Sequence, residues 1–196
     1  KSSLAICIFI SLAMTFLCII NAILDGTEQG VEKVFVSSFT GDIFIRPVSK
    51  FPLSLFGDET PVTGNLTSIS TMDSIVSVIP IVEHHKAIEY VIPQLTTYAA
   101  LEKDTYRINT ALFGLDAQKY TSAMTGIHIL EGRPFAFNEK GIMISKKTAG
   151  DTIKVGDTIQ LVAADAVSFR IRSVPVTAIY SYEVENQILD RISILD

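Results

Sequence analysis

The chain has 196 residues, 48% hydrophobic and 19% charged, with 16 basic against 21 acidic side chains and a formal net charge of −5 at pH 7. That balance argues against a nucleic acid partner, because phosphate backbones are held through clustered Lys and Arg. Both cysteines, Cys7 and Cys18, fall in one apolar stretch and would stand ~16 Å apart along a helix, so no disulfide framework supports the remainder.

Residues 2–24 contain no charged side chain, and about 20 apolar residues of helix are what a bilayer's hydrocarbon core requires. A transmembrane helix is expected over 1–24. Cleavage as a signal peptide after Ala22 and lipid modification of Cys18 are the competing fates. An uncharged run of 23 residues exceeds the apolar core of about 7 to 15 found in signal peptides, and Leu17 is bulky where lipid processing favours a small residue. Within the run, Cys7, Ser11, Thr15, Cys18 and Ala22 recur at helical steps, a small, weakly polar face of the kind through which membrane helices pack. Lys1 precedes the run, whereas Asp25, Glu28 and Glu32 follow it before Lys33. Basic flanks stay in the cytoplasm, which places residues 25–196 outside it. With Lys1 set aside, that part carries 15 basic and 21 acidic side chains, a formal −6.

Beyond the membrane, Val31, Val34, Phe35 and Ser38 continue a helical stripe. The helix is expected to project over about 25–38 despite Gly26 and Gly30, and to end near Phe39-Thr40-Gly41, with Gly41 as its cap. Asp42–Arg46 alternates like a strand halted by Pro47, and Lys50–Leu66 reads as a Pro- and Gly-containing loop. A short helix is predicted over Thr67–Ser77, with Ile69, Met72 and Ile75 inward. A strand over Val76–Val82 follows, then a hairpin turning at His84-His85-Lys86 and returning through Ala87–Ile92. Tyr106–Phe113 is predicted as a strand ended by Gly114, and Asp116 as the cap of a short helix running to Met124. The second half is mostly extended, with runs at Gly141–Ile144, Asp157–Leu161, Ser168–Ser173 and Val174–Tyr180. Helices and strands mix without the alternation of a parallel βαβ array, so the fold class is α+β. About 170 exported residues suffice for one domain or two small lobes.

Residues capable of chemistry are sparse. His84 and His85 are adjacent and would point to opposite faces of a strand, and His128 stands apart, so no metal site is expected. Ser145 with Lys146 or Lys147 has the composition of a nucleophile pair but lacks an orienting third group, and Lys147–Gly150 reads as the solvated end of a short helix. Asp151, Asp157 and Asp165 flank turns, where Asp bonds the local backbone. Calcium-loop spacing and a phosphate-binding glycine loop are absent. Asn65-Leu66-Thr67 fits a glycosylation triplet, which matters only in a eukaryotic secretory route. No catalytic, cofactor or metal residues are assigned, and no enzymatic activity is expected of this chain.

Three stretches in order carry a resemblance: Ile129-Leu130-Glu131-Gly132-Arg133-Pro134-Phe135, Gly141-Ile142-Met143-Ile144-Ser145-Lys146, and Lys154-Val155-Gly156-Asp157-Thr158-Ile159-Gln160-Leu161. Together they resemble the extracytoplasmic core of FtsX-like ABC transporter permeases, including MacB-type exporters and LolC/LolE-type lipoprotein-release subunits. Thr110–Asp116 is similar to the family's strand and "G-x-D" turn. Val176–Tyr180 is similar to its following strand, with Ala178 where glycine is usual. The physical roles of these residues are structural: Gly132 and Gly156 permit tight turns, Asp157 braces one, and the alternating residues bury a sheet face.

The resemblance implies a dimeric permease, built with a second copy or a paralogue, in the bacterial cytoplasmic membrane. It implies a separate cytoplasmic ABC ATPase and, in some members, a periplasmic partner protein. The projecting helix would act as a lever transmitting ATP-driven motion to the exported domain. Lipoproteins, peptides or amphiphiles would be the cargo, and some members instead regulate cell-wall hydrolases. The chain starts without Met and stops at Ile194-Leu195-Asp196, so an excerpt is expected, with more of the domain and three further membrane helices beyond it. The alternative is a stand-alone membrane-anchored binding module or lipoprotein.

Overall fold

The computed structural model describes residues 2–48, 72–136, 138–164, 169–184 and 189–196. The first element, α1, runs over Ser2–Phe35, 34 residues or about 50 Å of helix. Its segment Ile6–Thr27 is long and apolar enough to cross a membrane, and none of it is buried by the rest of the chain. Hydroxyls in that segment turn onto the helix itself: Thr15 Oγ1 donates to Ser11 O at 2.9 Å and Thr27 Oγ1 to Ile23 O at 2.8 Å. Polar groups facing lipid must be satisfied internally in this way. The helix continues past Gly26 and Gly30, as the stripe predicts, and finishes in a π-helical turn, Val36–Thr40. Gly41 ends it at φ +62°, its N–H donating to Val36 O at 3.1 Å. A left-handed stop of this kind favours glycine.

Asp42–Arg46 joins no sheet among the described residues, contrary to the predicted strand. Alternation sets side-chain direction along a chain but supplies no neighbouring strand. The Lys50–Leu66 loop, and the Thr67–Ser77 helix up to residue 71, lie outside the described residues. Helix α2 occupies Ile75–Glu83, where a strand was expected over Val76–Val82. Short apolar runs satisfy both templates. Here the Ser74 carbonyl accepts from Ser77 N at 3.0 Å and Val78 N at 3.2 Å, which opens a helix around Ser77 and Val78. No hairpin forms at His84-His85-Lys86. The chain turns there and reaches β1 without regular structure over 88–94.

Strand β1, Leu95–Lys103, was not foreseen, although it forms a hairpin with the predicted β2, Tyr106–Gly114, in register from Leu95↔Gly114 to Lys103↔Tyr106. Helix α3, Ala117–Ala123, starts on Asp116 as expected, its carboxylate accepting from Gln118 N at 3.1 Å and Lys119 N at 3.0 Å. Then come β3, Ile127–Gly132, β4, Ile142–Ser145, and the short α4, Lys146–Ala149. The chain finishes with β5, Thr158–Ala164, β6, Phe169–Tyr182, and β7, Ile192–Leu195. The fold is α+β with a second half that is mostly strand.

The sheet order is β3-β6-β4-β7-β2-β1-β5, and β5 pairs again with β6, so the sheet closes on itself with β3 beside the second half of β6. The runs Ser168–Ser173 and Val174–Tyr180, read as separate, are one strand over the described part. Its interruption is a bulge: β4 pairs Ile142↔Val176 and then Met143↔Ala178, skipping Thr177. One inserted residue reverses which face later side chains meet. Accordingly, Val174 and Val176 pack with Leu101, Ile142, Ile144 and Ile159, whereas Ala178 and Tyr180 pack with Phe113, Met143, Tyr120 and Phe39. The domain thus has two apolar clusters on opposite faces of one sheet.

Candidate functional site

Residues named above for possible chemistry take structural places. Ser145 Oγ accepts from Thr148 N at 3.2 Å, capping α4, and donates to the backbone carbonyl of Asp190. Thr148 Oγ1 donates to the same carbonyl at 2.8 Å, and Lys147 Nζ reaches Asp190 Oδ2 at 3.2 Å. Ser145 is therefore a buried cap, and α4 is less solvated than expected, since Thr148 and Ala149 are buried. His84 Nδ1 lies 2.7 Å from Pro80 O at the end of α2, His85 Nδ1 accepts from Ala87 N, and His128 is exposed on β3. Among the described residues no group of three His, Cys, Asp or Glu could hold a metal. Asn65 and Asp165 lie outside them.

The turn residues behave as read. Gly132 and Gly156 have φ +78° and +90°. Asp157 Oδ2 accepts from Lys154 N at 2.7 Å and from Lys103 Nζ at 2.5 Å, and these bonds hold its carboxyl below the usual range. Arg133 and Glu139 form a two-pronged pair at 2.6 and 2.8 Å. The Arg133 bonds, and a second from Ala136 N, lower the Glu139 carboxyl to about 2.

What remains as a site is the junction where the long apolar helix α1 enters the domain. Ser38 and Phe39 are buried at 1% and 2% exposure, and the Phe39 ring lies 5.3 Å from that of Phe113. Val34 and Phe35 pack, partly buried, against the same cluster. The last carbonyls of a helix lack partners within it, and here the domain supplies two donors. Gly126 N–H donates to Ser37 O at 3.0 Å, and the Tyr120 hydroxyl donates to Ser38 O at 3.0 Å. Burial, with Tyr182 beside it, pushes the Tyr120 phenol well above its ordinary value, so it remains a donor. A side chain at Gly126 would meet Ser38 Oγ at 2.2 Å and Ser37 Oγ at 2.9 Å. Glu183 N–H in turn donates to Gly126 O at 2.8 Å, tying the junction to the end of β6.

Sequence reasoning placed the end of the helix at Phe39-Thr40-Gly41 but did not single out Tyr120 or Gly126. Helical spacing of Ala117, Tyr120 and Met124, all buried, was the available signal for Tyr120. No local pattern marks Gly126.

The same span of chain, helix and domain together, is matched by a family model. The sequence model of the MacB-like periplasmic core domain matches residues 3–192. The chain belongs to that family. This domain is a part of ABC transporter permeases. No curated protein matches the chain. Among solved structures, it is similar to the extracellular domain of the noncanonic ABC-type transporter YknZ from Gram-positive bacteria, at 15% identity and a TM-score of 0.45, covering 61% of this chain and 60% of that one. It is also similar to the periplasmic region of MacB from Actinobacillus actinomycetemcomitans, at 15% identity and a TM-score of 0.46, covering 61% of this chain and 53% of that one. In both comparisons the chain spans less than two thirds of the other's length.

Proposed function

We infer that the chain supplies the first membrane helix and the exported domain of an ABC transporter permease. In this reading residues 1–24 stay in the bacterial cytoplasmic membrane, and 25–196 form a periplasmic domain of two lobes whose helical extension, 25–38, is a lever. A separate cytoplasmic ATPase hydrolyses ATP, and a second permease copy or paralogue completes the dimer. The cargo is a lipoprotein, peptide or amphiphile, delivered to or aided by a periplasmic partner. The chain itself needs no catalytic residue, cofactor or metal for this.

One observation carries the reading: the family match runs unbroken from helix to domain, and the helix end is built into the domain's core through Phe39. Helix and domain so joined move as one piece, as transmission requires. Co-expression with a neighbouring ABC ATPase and purification from membranes tests it. The expected result is a stable complex with vanadate-sensitive ATP hydrolysis. A chain that binds no ATPase under conditions keeping related transporters intact is instead a stand-alone anchored binding module.

A further inference from the structure

Among the described residues, the junction's hydrogen bonds from the domain and its deepest burial fall on three consecutive residues, and they come from one side of the sheet. Gly126 holds the carbonyl of Ser37, Tyr120 holds that of Ser38, and Phe39 itself enters the cluster of Phe113, Met143 and Tyr180. The opposite cluster, around Leu101, Ile144 and Ile159, includes no residue of α1 or its π turn. Along Ile6–Thr27 the helix is exposed throughout. The domain therefore holds the helix by its end, through Val34, Phe35 and the π turn that follows.

That turn is where the helix leaves regular α geometry. A π turn bonds i to i+5, as Gly41 N–H to Val36 O does here, and departs from the regular ladder. Thr40 Oγ1 reaches back to Phe35 O at 3.4 Å and Ser37 Oγ to Val34 O at 3.5 Å, long hydroxyl contacts within the turn. Tyr120 and Gly126 add two bonds to this turn from outside the helix.

We propose that Tyr120 and Gly126 are positioning residues that fix the angle and axial rotation of the membrane helix relative to the exported domain, by holding the carbonyls of its π turn. The Tyr120 hydroxyl is the removable half of this grip. Gly126 is the steric half, since a side chain there forces the Ser37 and Ser38 hydroxyls aside and presses on the Ser37 carbonyl at 3.3 Å. Movement of α1 is delivered first to α3, through Tyr120, and to the ends of β3 and β6, through Gly126 and its bond with Glu183. The cluster around Ile144 follows as a body. This rests on the lever reading for its use, but the grip itself can be measured without it.

The test uses the full chain in phosphatidylcholine–phosphatidylglycerol vesicles, with Cys7 and Cys18 changed to Ser and spin labels placed at Gln29→Cys on the helix and Ser122→Cys on α3. Both positions are exposed. Pulsed electron resonance gives the distribution of distances between them. One narrow population is expected for the parent, and a distribution at least twice as wide for Tyr120→Phe and for Gly126→Ala. Tyr180→Phe is the control: it removes another buried hydroxyl bond in the same cluster, to Ile192 O at 2.8 Å and not to a carbonyl of the turn, and is expected to stay narrow. Should Gly126→Ala not fold, Tyr120→Phe and the control carry the test. A Tyr120→Phe distribution as narrow as the parent's overturns the proposal, as does equal widening in Tyr180→Phe. Because the width is read without nucleotide or ATPase, loss of the grip and failure of the permease reading give separate results.

Discussion

Phe39 lies against Phe113 in the cluster that receives the helix end. Truncation to Ala leaves a cavity in this cluster and is expected to cost about 3–5 kcal/mol, measured as a lower denaturant midpoint with an unchanged slope. Ser145→Ala removes a helix cap and an interior bond at once, for roughly 1–2 kcal/mol. It should leave any ester- or peptide-cleaving activity of the preparation unaltered, and a specific loss of such activity would reinstate Ser145 as a nucleophile. At Glu139 the folded carboxyl titrates at about 2, below its ordinary value. The stability it contributes is fully present above about pH 4.5 and is lost as pH falls toward 2. Thermal unfolding followed across that window should flatten in Glu139→Gln. Asp116, Asp157 and Gly41 could be assigned from sequence because each acts on backbone within a few residues. Tyr120 and Gly126 could not, since the groups they hold lie more than 80 residues away.

At the level of elements, helix α1 was legible because its two signals, an uncharged run and a continuing stripe, span many turns. A proline at Phe35 deletes one helical bond and crowds the preceding turn, at about 3 kcal/mol. If the chain works as the proposed permease, its partner ATPase is expected to keep hydrolysing ATP with Phe35→Pro while export stops; export at the parent's rate would refute the lever. Helix α2 was misread because Ile75–Val82 is β-branched and apolar apart from Ser77 and Pro80, and a single polar residue does not reveal a period. Strands β1 and β7 were passed over for another reason. The first alternates weakly, through Thr96, Thr97 and two alanines, and the second is only four residues long. Both are strands because neighbours on two sides pair with them, as β7 lies between β2 and β4.

For the whole molecule, the asymmetry of charge about Ile6–Thr27 sets an orientation. Ser122→Cys should react with a membrane-impermeant thiol reagent applied to intact spheroplasts, whereas Cys7 and Cys18, within the span, should not. Labelling at Ser122→Cys only after lysis would invert the topology. The closed sheet also bears on how the protein is made. Strand β7 sits between β4 and β2 yet follows every other strand along the chain, and its bonds to Ala111–Gly114 span about 80 residues. Strands as distant as these meet slowly, because long loops must close before any contact rewards them. A chain threaded outward from its amino end would have its helix seated in lipid while β2 and β4 still waited, edges open, for the segment between them. The interval between secretion of Ile142 and arrival of Ile192 is therefore expected to be when this domain is most open to proteases and to aggregation.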